Sequence, residues 1–466
     1  MTDNDMMTRE NCGFADAGGA RFEQVSLADA CVERFKSRTA RIGVIGLGYV
    51  GLPLIHAMSK AGFRTVGFDI DPAKVAMLNR GESYIQHLPD TLIAELRAGD
   101  RFVATTDFAE LGLVDAIVIC VPTPLTKQRE PDLSYIEKSA RAIAPHLRPG
   151  HLVVLESTTW PGTTREVVKP ILEKTGLKSG RDFFLAFSPE REDPGNAHFS
   201  TTAIPKVVGG EGEDALLVAN TFYAQFVAKT VPVRSTAVAE AVKLTENIFR
   251  AVNIALVNEL KVVYAAMGID VWDVIEAAKT KPFGYMPFYP GPGLGGHCIP
   301  IDPFYLTWKA REYGLSTRFI ELAGEVNTAI PHYVVAQLAE ALDQKFRKGL
   351  NGSRILMLGL AYKKNIDDSR ESPAFKLMEL LESRGAVVAY HDPHVPEVPH
   401  TREHPEFGGR KSVEPVAAAA ASDVVLIVTD HDAVDYAAIV DAAALVIDTR
   451  NVCAKAGIDS DKVVKA

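Results

Sequence analysis

The sequence predicts an α/β protein in which two Rossmann-like doubly wound domains are joined by a helical middle domain with a long central helix. Three observations predict it. Apolar runs begin at Arg41, Thr65, Asp115 and His151 and are separated by helical patterns, which is how buried parallel strands alternate with helices. At about Ala237 the strand-like runs stop. A helical pattern then runs from Val238 to about Met267, with another from Val271 to Lys279. A second α/β pattern follows, in Ser353–Gly359, Val387–Asp392, Asp423–Thr429 and Ala444–Asp448.

The 466 residues suit about three domains at roughly 150 residues each. The reading divides them into a partly disordered N-terminal extension (1–38), a first Rossmann domain (39–234), a central helical domain (235–336) and a C-terminal domain (337–466). Within the extension, residues 24–38 carry a short amphipathic helical pattern. A net charge of −9 with no basic block argues against a nucleic-acid surface. Five cysteines, none at metal-ligand or CxxC spacing, fit a reducing compartment. With no signal-peptide pattern and no run of about 18 apolar residues, the expectation is a cytoplasmic protein without a membrane partner.

The first apolar run leads into Gly46-Leu-Gly48-Tyr49-Val50-Gly51, a G-x-G-x-x-G turn between a strand and a helix. Its glycines permit a tight turn and close approach of a diphosphate to the helix N-terminus. Asp69 ends the next strand, where a carboxylate accepts from ribose hydroxyls and favours NAD over NADP. Arg64 and Lys74 nearby leave NADP open. Val121-Pro-Thr123-Pro and Glu156-Ser-Thr158-Thr follow later strands, at the carboxyl ends that line a nicotinamide crevice.

Lys243, Asn247 and Arg250 share one helix face. Two readings fit. One is a solvated face with a Glu246–Arg250 pair; the other is a buried polar face whose lysine and asparagine stabilise negative charge on a reacting carbonyl. Glu190 and Arg191 lie in a Pro-bounded loop, with Glu190 either a general base or part of a solvated charged loop. In the stretch 290–303, Gly291, Gly293, Gly295 and Gly296 alternate with Pro290, Pro292, Pro300 and Pro303 around Cys298 and Asp302. No helix or strand is expected through it, and a rigid cradle for one thiol is. A thiolate beside a nicotinamide suggests aldehyde chemistry: addition to a thiohemiacetal, hydride loss to a thioester, then hydrolysis to an acid. Cys120, inside an apolar run, reads as an inert core residue. In the C-terminal part, Lys363 and Arg370 are suited to phosphates or to an ordinary strand-to-helix connection. His391-Asp392-Pro-His394 reads as a strand-end turn rather than a metal site, and His431 receives no partner.

Taken together, these motifs resemble the UDP-glucose/GDP-mannose dehydrogenase family over about residues 39–460. The resemblance implies oxidation of a sugar C6 alcohol to a carboxylate with two NAD. It implies Cys298 as nucleophile, Lys243 and Asn247 at the oxyanion, Asp302 for water or proton handling, Glu190 as base, and Thr123 ordering water. Gly46, Gly48, Tyr49, Val50, Gly51, Asp69, Thr123, Thr158 and Arg370 would hold the cofactor. Glu190, Arg191, Lys243, Asn247, Arg250, Gly295 and Lys363 would hold a UDP-sugar, with Arg250 reaching across a homodimer or higher oligomer built on the long helix. Residues 281–293 look like the branch that oxidises UDP-N-acetylglucosamine for O-antigen or capsular polysaccharides. UDP-glucose and UDP-N-acetylmannosamine are the alternatives, and a regulatory NAD- or nucleotide-sugar-binding module is the non-enzyme one. Pro194 stands where family members commonly carry a second Glu, so no role is carried to that position.

Overall fold

A computed structural model describes residues 26–85, 88–126, 130–191, 202–296, 299–400 and 404–466. The first sheet has eight strands: β1 (Arg41–Ile45), β2 (Arg64–Phe68), β3 (Phe102–Thr105), β4 (Ala116–Ile119), β5 (Leu152–Leu155), β6 (Phe184–Phe187), β7 (Lys206–Gly210) and β8 (Thr230–Val233). They lie in the order β3-β2-β1-β4-β5-β6-β7-β8. The first six are parallel, with Ile45 level with both Phe68 and Ile119. This order reverses direction between β1 and β4, and ligands bind beyond the strand ends at such a point. The apolar runs read as strands are all present. The sequence reading did not single out β3, β7 or β8, and β7 departs from the parallel pattern by pairing antiparallel to β6.

Leu27–Lys36 is helical, as its amphipathic pattern predicts, with Ser26 capping the backbone N–H of Asp29 at 3.0 Å. Its buried face sets Phe35 against Phe222 at 5.2 Å, and Arg34 reaches Asp115 at 2.7 Å. The helix is therefore part of the first lobe's packing.

The central helix runs Thr236–Ala266, 31 residues and about 46 Å at 1.5 Å per residue. Ser235 caps it. A short helix, Val271–Ala278, follows. A second long helix, Arg318–Phe346, packs along the central one and passes unbroken through Pro331. One expectation is corrected. The Gly/Pro stretch 290–303 is not free of helix, because Asp302–Glu312 is helical from its first carboxylate onward. Pro303 sits in the first turn, where its missing N–H removes no intrahelical bond.

The second sheet has five parallel strands, β9 (Arg354–Leu358), β10 (Val387–His391), β11 (Val424–Ile427), β12 (Val446–Asp448) and β13 (Val463–Lys465), in the order β10-β9-β11-β12-β13. Asp392 closes β10 in a turn, accepting from the backbone N–H groups of His394 and Val395 at 2.8 and 3.0 Å. Its other oxygen accepts from Leu360 and Ala361, which begin the loop carrying Lys363. His431, left without a partner by the sequence reading, is fully buried with Nε2 3.0 Å from that same oxygen. Its Nδ1 accepts from the backbone N–H of Asn365. The pair is separated by 39 residues in the chain, so no local pattern announces it. Among the described residues no His/Cys/Asp/Glu cluster is arranged to hold a metal, and no helix is long and apolar enough to cross a membrane.

Burial pushes the Asp392 carboxyl up, but the His431 side chain and the backbone N–H groups outweigh it and hold the carboxyl down at about 2. A folded-state value below the unfolded one stabilises the protein above the unfolded value and is lost as pH falls toward 2. Asp392→Asn is expected to cost about 2–4 kcal/mol at pH 7, by weakening acceptors for buried donors. Thermal unfolding of both proteins at pH 7 and pH 3 checks this: the gap in midpoint narrows at the lower pH.

Candidate active site

The glycine turn follows β1 at the point where the strand order reverses. Gly46 has φ +96, and a Cβ there would lie 2.5 Å from the Cys120 carbonyl oxygen. At Gly51 a Cβ would lie 2.0 Å from the Gly46 carbonyl oxygen, so only glycine lets the helix start against the strand. Gly48 has nothing within 4 Å, so its side is open to an approaching ligand. One glycine for the turn, one for close packing and one open position fit a dinucleotide diphosphate. Asp69 is aimed beside the turn by accepting from the backbone N–H of Leu47 at 3.1 Å and of Asp71 at 3.0 Å. Val50 is the N-cap position of the helix, whose first residue is Gly51. Tyr49 lies under the Arg370 guanidinium, 4.3 Å from ring centre to carbon, and Arg370 is forked onto Asp368 at 2.6 Å. The third lobe thus closes over the glycine turn of the first. Thr158 is half-buried past β5, next to Ser157, whose hydroxyl donates to the Val121 carbonyl at 2.7 Å.

Beyond the same strand ends lies a connected set of polar groups. Lys243 and Asn247 are both buried on the central helix, which rules out a solvated face. The Lys243 ammonium donates to the Glu190 carbonyl, and the Asn247 amide donates to the Asp302 carboxylate. Arg250 donates to the Asn247 carbonyl oxygen. The Glu246–Arg250 pair does not form, since Glu246 is instead forked by Arg191 at 2.6 and 3.2 Å. Burial raises Asp302 to about 7, against the opposing influence of Lys243, the Asn247 hydrogen bond and Arg250. A carboxyl with that value gives or takes a proton near neutral pH. Tyr305, three residues on, donates to the Thr123 carbonyl at 3.0 Å and ties the crevice to this helix. Cys120 lies just past β4, and burial pushes its thiol well above the ordinary range.

Sequence reasoning missed the group behind Glu190. Lys206, on β7, places its ammonium 2.8 Å from Glu156 and 3.1 Å from Glu190, and Tyr223 donates its hydroxyl to Glu156. A lone lysine in the apolar run Ile204-Pro-Lys-Val-Val208 was the available signal.

The Gly/Pro loop is clamped from both sides. The Gly291 N–H donates to the Asn258 side chain at 3.1 Å, and its carbonyl accepts from Lys261 at 3.2 Å. A Cβ on Gly295 would lie 2.6 Å from the Tyr362 Cβ, and the Gly296 N–H donates to the Arg370 carbonyl at 3.2 Å. Cys298, with His297, lies outside the described residues. Lys363 is half-buried in the loop after β9. Residues 281–287 are exposed, and Tyr289 stacks on Trp272 at 5.7 Å.

Residues 40–227, 237–329 and 356–455 match the NAD binding, central and UDP binding domains described for the UDP-glucose/GDP-mannose dehydrogenase family. The chain is 38% identical to a UDP-N-acetyl-D-glucosamine 6-dehydrogenase of Pseudomonas aeruginosa, covering 76% of this chain and 83% of the relative. It is 35% identical to an NDP-N-acetyl-D-galactosaminuronic acid dehydrogenase of Ralstonia nicotianae, covering 84% and 90%. The solved structure of a UDP-D-ManNAc dehydrogenase from Pyrococcus horikoshii superposes with a TM-score of 0.81 at 34% identity, covering 91% and 97%.

The three glycines make separable predictions. Gly48→Ala is expected to unfold at the wild-type temperature yet bind NAD at least tenfold more weakly, because its Cβ points only into the open side. Gly51→Ala is expected to lose about 1–3 kcal/mol of stability as well, from overpacking against Gly46. Thermal unfolding with NAD titration distinguishes the two.

Proposed function

We propose, from the premise that the chain belongs to the UDP-glucose/GDP-mannose dehydrogenase family and is an NAD-dependent nucleotide-sugar dehydrogenase, that it oxidises the C6 hydroxyl of UDP-N-acetylglucosamine to the carboxylate. The observation that carries the oxidation chemistry is the convergence of Lys243, Asn247, Asp302 and Glu190 beside the Gly/Pro loop, and the similarity to a UDP-N-acetyl-D-glucosamine 6-dehydrogenase supports the choice of sugar. In it, residues 39–234 hold NAD, 235–336 supply the central helix and cysteine loop, and 337–466 hold the UDP moiety with Lys363. NAD, bound along the glycine turn, supplies the hydride acceptor for both oxidations.

Glu190 takes the C6 hydroxyl proton, directly or through a water ordered near Thr123, as hydride leaves C6 to the acceptor and the aldehyde forms. The Cys298 thiolate then adds to the aldehyde carbon, and the carbonyl electron pair moves onto oxygen. There the Lys243 ammonium and the Asn247 amide stabilise the developing charge. Loss of a second hydride from that carbon gives a thioester. Water attacks it with one proton passing to Asp302, and the carbon–sulfur bond breaks to release the acid and restore the thiolate. Each turnover therefore consumes two NAD and one water.

UDP-N-acetylmannosamine and UDP-glucose are the alternative substrates, and the former has support in the name of the Pyrococcus structure. We also propose a homodimer. Phe249, Leu256 and Val263 repeat every seven residues along the central helix and are 48%, 52% and 46% exposed, an apolar face that a second copy covers. In such a dimer Arg250, which within the single chain donates to the Asn247 carbonyl oxygen, is proposed to reach the neighbouring site.

NADH release from a panel of UDP-sugars tests the reading. UDP-N-acetylglucosamine is expected to give the highest kcat/KM and two NADH per sugar consumed. Cys298→Ser is expected to abolish acid formation. One NADH per sugar, or an unchanged Cys298→Ser rate, contradicts the four-electron route.

A further inference from the structure

Lys206 and Glu156 stand one layer behind the proposed base and are unused by the chemistry above. Lys206 is 4% exposed and Glu156 2% exposed. The single ammonium bridges two carboxylates, at 2.8 Å to Glu156 and 3.1 Å to Glu190. Each carboxylate has its second oxygen occupied as well, Glu156 by the Tyr223 hydroxyl and Glu190 by the Arg191 backbone N–H at 2.7 Å. The Glu190 carbonyl meanwhile accepts from Lys243. Glu190 is thus gripped at its backbone by the oxyanion lysine and at its carboxylate by Lys206.

We infer that Lys206 is a positioning residue that keeps Glu190 ionised and aimed at the reacting hydroxyl, and that Glu156 limits how much of the Lys206 charge Glu190 receives. The inference rests on the reading of Glu190 as the base. Among the described residues, the groups facing this cluster are Cys120 past β4, Glu156 past β5, Arg191 and Glu190 past β6, Lys206 on β7, Tyr223 on the helix Glu213–Tyr223, and Lys243 on the central helix. Arg191 is committed to Glu246, and Cys120 and Tyr223 are held neutral by burial. Among the described residues Lys206 is therefore the cation in direct contact with both carboxylates. Two carboxylates sharing one cation compete for it, because each disfavours ionisation of the other. Removing the cation raises the value of Glu190. Removing the rival carboxylate lowers it.

The test is the pH profile of kcat/KM with the full-length enzyme, NAD and UDP-N-acetylglucosamine or whichever UDP-sugar it turns over best. In Lys206→Met the acidic limb is expected to move up by about one pH unit or more, and in Lys206→Arg to stay near wild type. In the isosteric Glu156→Gln the limb is expected to move down by roughly half a unit or more. Shifts of opposite sign are what a merely structural lysine does not produce. Should Lys206→Met fail to fold, Glu156→Gln decides alone, and a limb that stays put or moves up overturns the inference. Glu190→Gln separates the two readings. If it abolishes the limb while the other variants leave it unmoved, the Lys206 inference fails and the base survives. If Glu190→Gln keeps the limb, the base assignment itself fails and the inference falls with it.

Discussion

One stripe of a single helix must carry buried polar groups, and the rest of the molecule is arranged to satisfy them. Along the central helix, Glu240, Lys243, Asn247, Asn258 and Lys261 are all buried, at spacings of three, four, eleven and three residues that keep them on one face. Burying such groups costs several kcal/mol each unless they are paired. Each finds its partner outside this helix. Glu240 accepts from Gly162 and Thr164 in the first lobe. Lys243 donates to the loop after β6, and Asn247 to the start of the helix Asp302–Glu312. Asn258 holds the Gly291 N–H and the second long helix through Asn327, while Lys261 holds the Gly291 carbonyl. Satisfying the stripe therefore fixes the first lobe, the Gly/Pro loop and the second long helix against one another.

That constraint accounts for the charge state of the site. Asp302 is desolvated because its helix is drawn in against Asn247, and its value of about 7 follows. Lys261 is desolvated in the same way, and with Arg450 nearby its ammonium is brought down to about 7. The glycines of the loop are a second consequence. Gly291, Gly295 and Gly296 lie where a side chain would collide with Arg450 or Tyr362 of the third lobe. The loop is confined on one side by the polar stripe and on the other by the C-terminal domain, so its shape depends on both lobes being in place.

Local chemistry announced the parts and long-range pairing concealed the joints. Val44 and Ile45 before a glycine turn, or Val425 to Ile427 before Thr429, are apolar runs long enough to name a strand. Pro232 and Lys206 interrupt such runs, which is why β7 and β8 were not seen. The spacing of Lys243, Asn247 and Arg250 put them on one face, but only packing shows that the face is buried. Density of Gly and Pro hid the helix that starts at Asp302, since a proline in a first turn is compatible with a helix while reading as its opposite. His431 with Asp392, and Lys206 with Glu156, are pairs separated by 39 and 50 residues, and nothing at either end marks the other.

The central claim is that the helix stripe and the Gly/Pro loop act as one unit through Asn247 and Asp302. A double-mutant cycle on kcat/KM, with Asn247→Ala, Asp302→Asn and the double variant, measures it directly. The account predicts strong non-additivity, a coupling of about 1–3 kcal/mol, with the double variant scarcely slower than the worse single one. Losses that add within about 0.3–0.5 kcal/mol would contradict it.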